Sequence, residues 1–424
     1  GLPATLAPVE RVLAADPEAV FLLRVNLNPP DTWLHANREH AAHIAGQAMR
    51  YTSPVSALWQ EAARAALSTL AEAANAPPLK GRVLGYVPGA LEQQAWKRSG
   101  YDTSPANLAG FREWLGRRYA DDAALQAAWQ LDGAGLGTAQ IPEPVSTDGT
   151  DAVFFDLPAM QPHVDFLTYT SESTADAIAA LAVHLKPLLG PGQLVLAPYG
   201  YTFEHFDAHT GHFALGAIID SDLDGYISPV TYHDRGLGET GALMGPVDSV
   251  HNHGQRWIAV DDTRTGMGFD PETGAFARMK GLRDEDVFNV QRRNFATALI
   301  RADGLVWSDP EGRGWLHDEE QWRLFQDLHA IYRDAHAVRG TQTPALRDQE
   351  GGALNHRPLV VVADETSRFY QRCGEPLSAA LFNHTRNAAL RGGTPVSFVL
   401  LQDLLDGRLP PAPVYLFLNA FRLT

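Results

Sequence analysis

The sequence predicts a parallel α/β barrel followed by part of a doubly wound α/β domain, and three observations predict it. Short apolar runs alternate with stretches of helical period along the chain. The runs are almost continuously apolar, as in strands buried on both faces of a parallel sheet. Pro, Gly, Asp or aromatic residues follow each run, as they do where strands turn into helices. An open doubly wound sheet is the alternative for the first part. It fits less well, because no glycine-rich phosphate loop follows a strand, and Gly133-Ala-Gly-Leu-Gly137 has no strand before it.

Taken in order, Phe21-Leu-Leu-Arg-Val-Asn-Leu27 is a strand closed by Asn-Pro-Pro, and 59–74 carries apolar residues at helical spacing. A second strand is Arg82-Val-Leu-Gly-Tyr-Val87, ending at Pro88-Gly89. Residues 111–129 are helical, with Phe111, Trp114, Leu115, Tyr119, Leu125 and Trp129 as the buried face, and 131–152 is a long loop. Next come a helix over 174–189, the strand 193–197, the aromatic exit Tyr199-Gly-Tyr-Thr-Phe203, a short helix over 213–219 and the strand 225–228. The strand 257–260, a helix over 287–300, the strand 304–307 and a closing helix over 319–338 complete the series. About six barrel strands are clear, residues 44–52 could supply another, and the first of the eight that such a barrel has is absent. A polar linker at 340–356 separates this barrel, 1–340, from a second domain, 357–424. There the pattern restarts: strand 358–363, helix 376–390, and strands 396–401 and 414–418, half of a flavodoxin-like unit.

Composition excludes several classes of function. The chain has 424 residues, 45% of them apolar and 20% charged, which suits a packed globular protein, and no apolar run is long enough to span a bilayer. Its net charge of −16 disfavours nucleic acid and anionic membranes as partners. The lone Cys373 rules out an intramolecular disulfide and a multi-cysteine metal site without fixing the compartment. Gly-Leu-Pro-Ala-Thr at the N-terminus does not read as a signal peptide; the location is left unknown, with the cytoplasm slightly favoured over export.

The chemistry concentrates in Trp257-Ile-Ala-Val-Asp-Asp-Thr-Arg-Thr265, an apolar strand running into two carboxylates and an arginine. Parallel barrels deliver catalytic groups from the ends of their strands in this way. That segment, the run Ser228-Pro-Val-Thr-Tyr-His-Asp-Arg-Gly-Leu-Gly238, and Phe111-Arg-Glu-Trp-Leu-Gly-Arg-Arg-Tyr119 with the following Ala-Leu-Gln-Ala-Ala-Trp129 resemble β-galactosidase-like glycoside hydrolases related to family 42, of clan A. Residues 357–424 are similar to the start of that family's trimerisation domain.

The resemblance implies retaining hydrolysis of β-linked sugars such as β-galactosides, a carbohydrate substrate, no cofactor or metal, and a homotrimer. Two glutamates carry such chemistry, a general acid/base after strand four and a nucleophile after strand seven, about 5–5.5 Å apart. The chain departs from this pattern at both places. Gln94 and Ala95 precede Trp96 where a Glu is expected, and Val260 holds the nucleophile position. The nearest carboxylates are Glu92, the acid/base candidate, and Asp261, the nucleophile candidate, although Asp261 would need a bulge to face the same way as residue 260. The bland readings are an exposed loop carboxylate for Glu92 and, for Asp261, a group that orients an arginine or caps a loop. Asp262 and Arg264 suggest a buried ion pair, and Arg264 is also a substrate-binding candidate with Tyr199, Tyr201, Tyr232, His233 and Trp307. Any of these aromatic residues can instead be core. His205, His209 and His212 have spacings that could hold a metal on a helix, yet Gly211 interrupts them, so solvated loop histidines are favoured. His251-Asn-His253 is weaker still, and Asn383-His-Thr385 matches a glycosylation sequon. The alternative to an enzyme is a degenerate barrel that binds saccharide or serves assembly.

Overall fold

The computed structural model describes residues 2–145, 152–269, 276–278, 283–310, 312–339, 358–372, 374–409 and 411–422. Cys373 and the linker expected at 340–356 lie outside the described residues. In chain order the strands are β1 (Phe21–Asn26), β2 (Ala41–Ile44), β3 (Gln47–Thr52), β4 (Val83–Gly89), β5 (Leu194–Ala197), β6 (Gly225–Pro229) and β7 (Arg256–Asp261). They continue with β8 (Met267–Phe269), β9 (Phe276–Arg278), β10 (Gly304–Trp307), β11 (Leu359–Ala363), β12 (Val396–Leu400) and β13 (Val414–Phe417). Strands β1, β4, β5, β6, β7 and β10 form the parallel, partial (β/α) barrel that the apolar runs predict. Strands β11, β12 and β13 form a separate parallel sheet of three, with β11 in the middle.

The chain divides into two units. The first comprises residues 1–199, 207–224 and 365–375; the second comprises 200–206, 225–364 and 376–424.

In the first unit β1 pairs with β4 and β4 with β5, all parallel. Helix Ala57–Ala74 begins at Ser56, whose hydroxyl accepts the Trp59 N–H, and Trp59 pins the helix to the exit of β1 by donating its indole N–H to the Leu27 carbonyl at 2.9 Å. The helix expected over 111–129 is two helices, Pro105–Arg118 and Asp122–Trp129. The break has a local cause: the Asp121 carboxylate caps the second helix by accepting the Ala124 N–H at 2.8 Å, so it cannot sit inside a continuous one. The predicted apolar face is nonetheless buried, with Phe111, Leu115 and Leu125 fully enclosed. Helix Gln161–Leu185 starts earlier than the alanine-rich spacing suggested, because its first turns are polar on a buried face. There the enclosed Asp165 carboxylate accepts from Tyr119 Oη and Trp129 Nε1, each at 2.7 Å, and from Gln161 at 2.9 Å, with Arg118 at 3.4 Å. Residues 44–52 do not add a barrel strand: β2 and β3 form an antiparallel hairpin of their own around Ala45-Gly46, both at positive φ.

In the second unit β6 pairs with β7, and β7 with β10. Gly225 is required at the start of β6, since a Cβ there would run into the Arg256 backbone of β7. The faces of β7 can be read from its partners. Leu305 and Trp307, paired with Ala259 and Asp261, pack on Phe295, Leu324, Phe325 and Leu328 of helices Asp284–Arg301 and Glu319–Arg339. Ala259 and Asp261 therefore face the helices, while Ile258, Val260 and Val306 face the other side of the sheet. Helix Val247–Asn252 ties β12 in place: Asp248 accepts the Phe398 N–H at 2.7 Å and the Arg301 guanidinium at 2.9 Å, and Ser249 accepts the Leu400 N–H at 2.8 Å. Asn383 of the sequon is buried and donates to the Phe203 carbonyl at 2.7 Å, so a glycan there is incompatible with this fold. No described helix is long and apolar enough to cross a membrane.

Candidate functional site

In the first unit the exit of β4 is a tight turn that presents Glu92. Leu91, Gln93, Gln94 and Trp96 all have positive φ, between 53° and 62°, a concentration of left-handed non-glycine residues that the surroundings must enforce. The enforcing contacts are specific. The Asn28 side chain takes both polar groups of Leu91, accepting its N–H at 2.8 Å and donating to its carbonyl at 2.9 Å. Arg24 donates to the Gln93 carbonyl at 2.7 Å, and the fully buried Trp96 indole donates to the Pro88 carbonyl at 3.1 Å. His212 lies 2.8 Å from the Ala95 carbonyl through Nε2. Burial pulls its pKa down to about 3, so the ring is neutral at neutral pH and its Nε2–H donates to that carbonyl. Glu92 is half-buried, and the buried Tyr51 hydroxyl donates to its carboxylate at 3.4 Å. Burial, with Glu92 adding, pushes the Tyr51 phenol above its ordinary range, so it stays a donor.

Tyr199 belongs to the scaffold of this turn. It is fully buried, stacks on His212 at 4.9 Å between centroids, and its hydroxyl accepts the Ala214 N–H at 3.3 Å. His209 is held below its usual range, first by burial, with Asp207 and Glu92 opposing and Lys97 adding. Among the described residues no group of three His, Cys, Asp or Glu is placed to hold a metal, so the spacing of His205, His209 and His212 does not produce a site.

In the second unit the residues beyond β6 and β7 form a dense polar network. Asp261 is buried on the helix side of β7, where its Oδ1 accepts the Thr263 N–H at 3.1 Å and Asn294 Nδ2 at 3.0 Å. Its Oδ2 has no hydrogen-bond partner among the described residues, and burial raises its pKa above the ordinary carboxylate range. Asp262, the first residue past the strand, turns to the loop after β6. It accepts from Tyr232 Oη at 2.7 Å and from Arg235 Nη2 at 2.6 Å. The expected pairing of Asp262 with Arg264 is therefore not made: Arg235 is its partner, and Arg264 is exposed with its guanidinium 5.7 Å from the Trp315 ring centre.

Tyr232 is 53% exposed although its hydroxyl is tied to Asp262 and the Arg235 guanidinium lies 4.9 Å from its ring centre. Burial, then the charge of Asp262 and the hydrogen bond to it, raise this phenol above its usual range. His233 is partly exposed, packs on Phe206 at 4.6 Å, and has Nε2 3.5 Å from buried Glu204. Glu204 also accepts the Thr231 hydroxyl at 2.7 Å and the Tyr232 N–H at 2.8 Å. Behind it Arg386 donates to Thr231 at 3.0 Å, its guanidinium pulled down to about 10 by burial, with Glu204 and Asp234 opposing. Tyr201 is buried and donates to the Ile227 carbonyl at 3.0 Å. Trp307 stacks on Phe325 at 4.0 Å in the helix-side cluster.

Of the sequence candidates, the structure thus brings the exposed Tyr232 and His233 into one network with the largely buried Asp262. It places Tyr199, Tyr201 and Trp307 in packed surroundings. Arg235 and Asn294 were not singled out in the sequence, and Glu204 stood out there only as a carboxylate near His205, His209 and His212. Arg235 stands in the same run as Tyr232 and His233, so its nearness to them was the available signal.

No protein-family model and no curated protein matches the chain. Solved structures do. A β-galactosidase from Bacillus circulans sp. alkalophilus is similar with a TM-score of 0.61 and 12% identity over 95% of this chain and 58% of that one. One from Rahnella sp. R3 gives 0.59 and 15%, covering 93% of this chain and 57% of that one. A catalytic mutant of Gan42B, a family 42 β-galactosidase from G. stearothermophilus, gives 0.59 and 13%, covering 94% and 58%. The chain spans a little under three fifths of the length of these structures. At such low identity the likeness concerns the fold alone: the arrangement of this chain is similar to that of these β-galactosidase structures.

Proposed function

We propose that the chain is a retaining glycosidase barrel acting on β-linked sugars, β-galactosides among them. In this reading Glu92 protonates the leaving oxygen, and Asp262 is the strand-seven carboxylate that attacks the anomeric carbon, a division of labour that two carboxylates support. One observation carries the choice of Asp262. It reaches the partly exposed loop network through Tyr232 and Arg235, whereas Asp261 is enclosed against helix Asp284–Arg301 and shares no face with Val260. Tyr232 and His233 are the proposed sugar contacts. The fold likeness supports the substrate class.

A second reading has its own support. Val260 and Ala95 stand where the resemblance places carboxylates, which favours a barrel that binds saccharide without hydrolysing it. Hydrolysis of nitrophenyl β-D-galactoside separates the two. The glycosidase reading expects turnover in the parent and a loss of about 10²–10⁴-fold in kcat for Glu92→Gln and for Asp262→Asn. A silent parent that still binds galactosides in calorimetry supports the second reading instead. A homotrimer is part of the same proposal, and light scattering at three times the 46.2 kDa chain mass would support it, as a monomer mass would contradict it.

A further inference from the structure

Asp261 has no evident direct task, yet it is among the most constrained groups in the second unit. It is a carboxyl 2% exposed, held through one oxygen by the Thr263 N–H and Asn294, and its other oxygen is without a partner among the described residues. Burying such a group is costly unless its neighbours gain by it. Those neighbours lead outward. Asn294 Nδ2 also donates to Thr263 Oγ1 at 3.2 Å, and that hydroxyl accepts from Arg235 Nη2 at 3.3 Å. The same Arg235 nitrogen lies 4.0 Å from Asp261 Oδ1 and 2.6 Å from Asp262 Oδ1. Arg235 in turn covers the Tyr232 ring, whose hydroxyl returns to Asp262. Two adjacent carboxylates therefore flank one guanidinium, Asp261 from the helix side and Asp262 from the loop side.

We propose that Asp261 is a positioning residue: with Asn294 and Thr263 it fixes Arg235 from behind, and through Arg235 it sets the place of the Asp262 carboxylate and the Tyr232 ring. The role is mostly geometric. Oδ1 receives every hydrogen bond given to Asp261, so an amide that keeps an oxygen there can stand in for the carboxyl. The upward pKa shift is consistent with this, because a neutral group loses none of those contacts. The other charged groups around it are Arg293, whose guanidinium donates to the Arg235 carbonyl at 2.8 Å, and Asp234 and Glu239 in the loop after β6. The inference rests on the proposed role of Asp262.

The test compares Asp261→Asn and Asp261→Ala with the parent, in crystal structures and in hydrolysis of nitrophenyl β-D-galactoside by the whole chain. The alanine variant is expected to release Arg235, lengthening its contact with Asp262 beyond 4 Å, and to lower kcat about tenfold with KM changed less than about threefold. The asparagine variant is expected to keep the contact and recover most of the turnover. An alanine variant that melts earlier but keeps both the Arg235–Asp262 contact and the parent kcat would reduce Asp261 to a packing role and overturn the proposal. If Asp262→Asn hydrolyses as fast as the parent, the glycosidase assignment of Asp262 fails, and the crystallographic contact alone still decides whether Asp261 positions Arg235. If the alanine variant does not fold, Asn294→Ala supplies the same readout, with a displaced Arg235 in support and an unmoved one against.

Discussion

Asp261 and Asp262 differ by one position in sequence and by almost everything in environment, and neighbouring residues at a strand end must differ in this way because side chains alternate between faces. The buried member makes a stability prediction. Its folded pKa is raised above the unfolded value, so the unfolded chain ionises first as pH rises, and the fold loses stability from the ordinary aspartate range up to the folded pKa. Asp261→Asn removes that loss. Its melting temperature should equal or exceed the parent's at pH 7, and the advantage should shrink as the pH falls towards 4; a variant that melts several degrees lower at pH 7 would contradict the assignment. At the Glu92 turn, Gln93 is exposed with φ of 53°, and its backbone rather than its side chain meets Arg24. Gln93→Gly should therefore stabilise by up to about 1 kcal/mol by relieving a left-handed residue, measurable as a small rise in denaturant midpoint. Little of this was legible in advance. The carboxylates near strands four and seven could be named from the resemblance and their opposite facing from strand alternation, but the partners that hold the two aspartates, Asn294 and Arg235, lie far from them in sequence.

At the level of elements, periodicity located most helices and strands well, and the misses share a cause. Residues 111–129 kept one buried face through a break that the apolar spacing does not record; Asp121 records it as a cap. Residues 44–52 looked like another barrel strand because a hairpin strand and a barrel strand have the same local composition, and only the turn at Ala45-Gly46 distinguishes them. Trp307 is the instructive aromatic. A tryptophan at a barrel strand's end suggests a sugar platform, yet its register with Asp261 turns it towards Phe325. Trp307→Ala should cost about 2–4 kcal/mol of stability and leave KM for nitrophenyl galactoside unchanged in the folded fraction; a KM raised tenfold at undiminished stability would return it to the binding site. Asp165 predicts more strongly. Removing a buried carboxylate with donors from three elements, as in Asp165→Ala, should cost about 3 kcal/mol or more, read in urea unfolding.

For the whole molecule, the parallel barrel and the restarted α/β pattern beyond residue 357 were readable because burial on both faces leaves a coarse, repeated signature. Function is less readable for the complementary reason: a barrel fold hosts many chemistries, and the site lives in a few loop residues. In the proposed reading those residues are Glu92 on its strained turn and the Asp262–Tyr232–Arg235 network, each defined within its own unit. The resemblance carried by the Asp-Thr-Arg-Thr run and the structural likeness to family 42 β-galactosidases agree on fold while the sequence identity stays at 12–15%. What decides between an enzyme and a saccharide-binding barrel is whether a carboxylate after β7 forms a bond to sugar.

That bond can be trapped. A 2-deoxy-2-fluoro-β-D-galactosyl fluoride slows release of a glycosyl-enzyme far more than its formation, so a retaining enzyme accumulates the ester. Incubating the chain with this reagent and sequencing the labelled peptide by mass spectrometry should find the fluorosugar on Asp262, with no label in Asp262→Asn. A label on Asp261 or on Glu204 would contradict the proposed nucleophile, and no label on the parent under conditions that label a family 42 β-galactosidase would contradict the retaining mechanism itself.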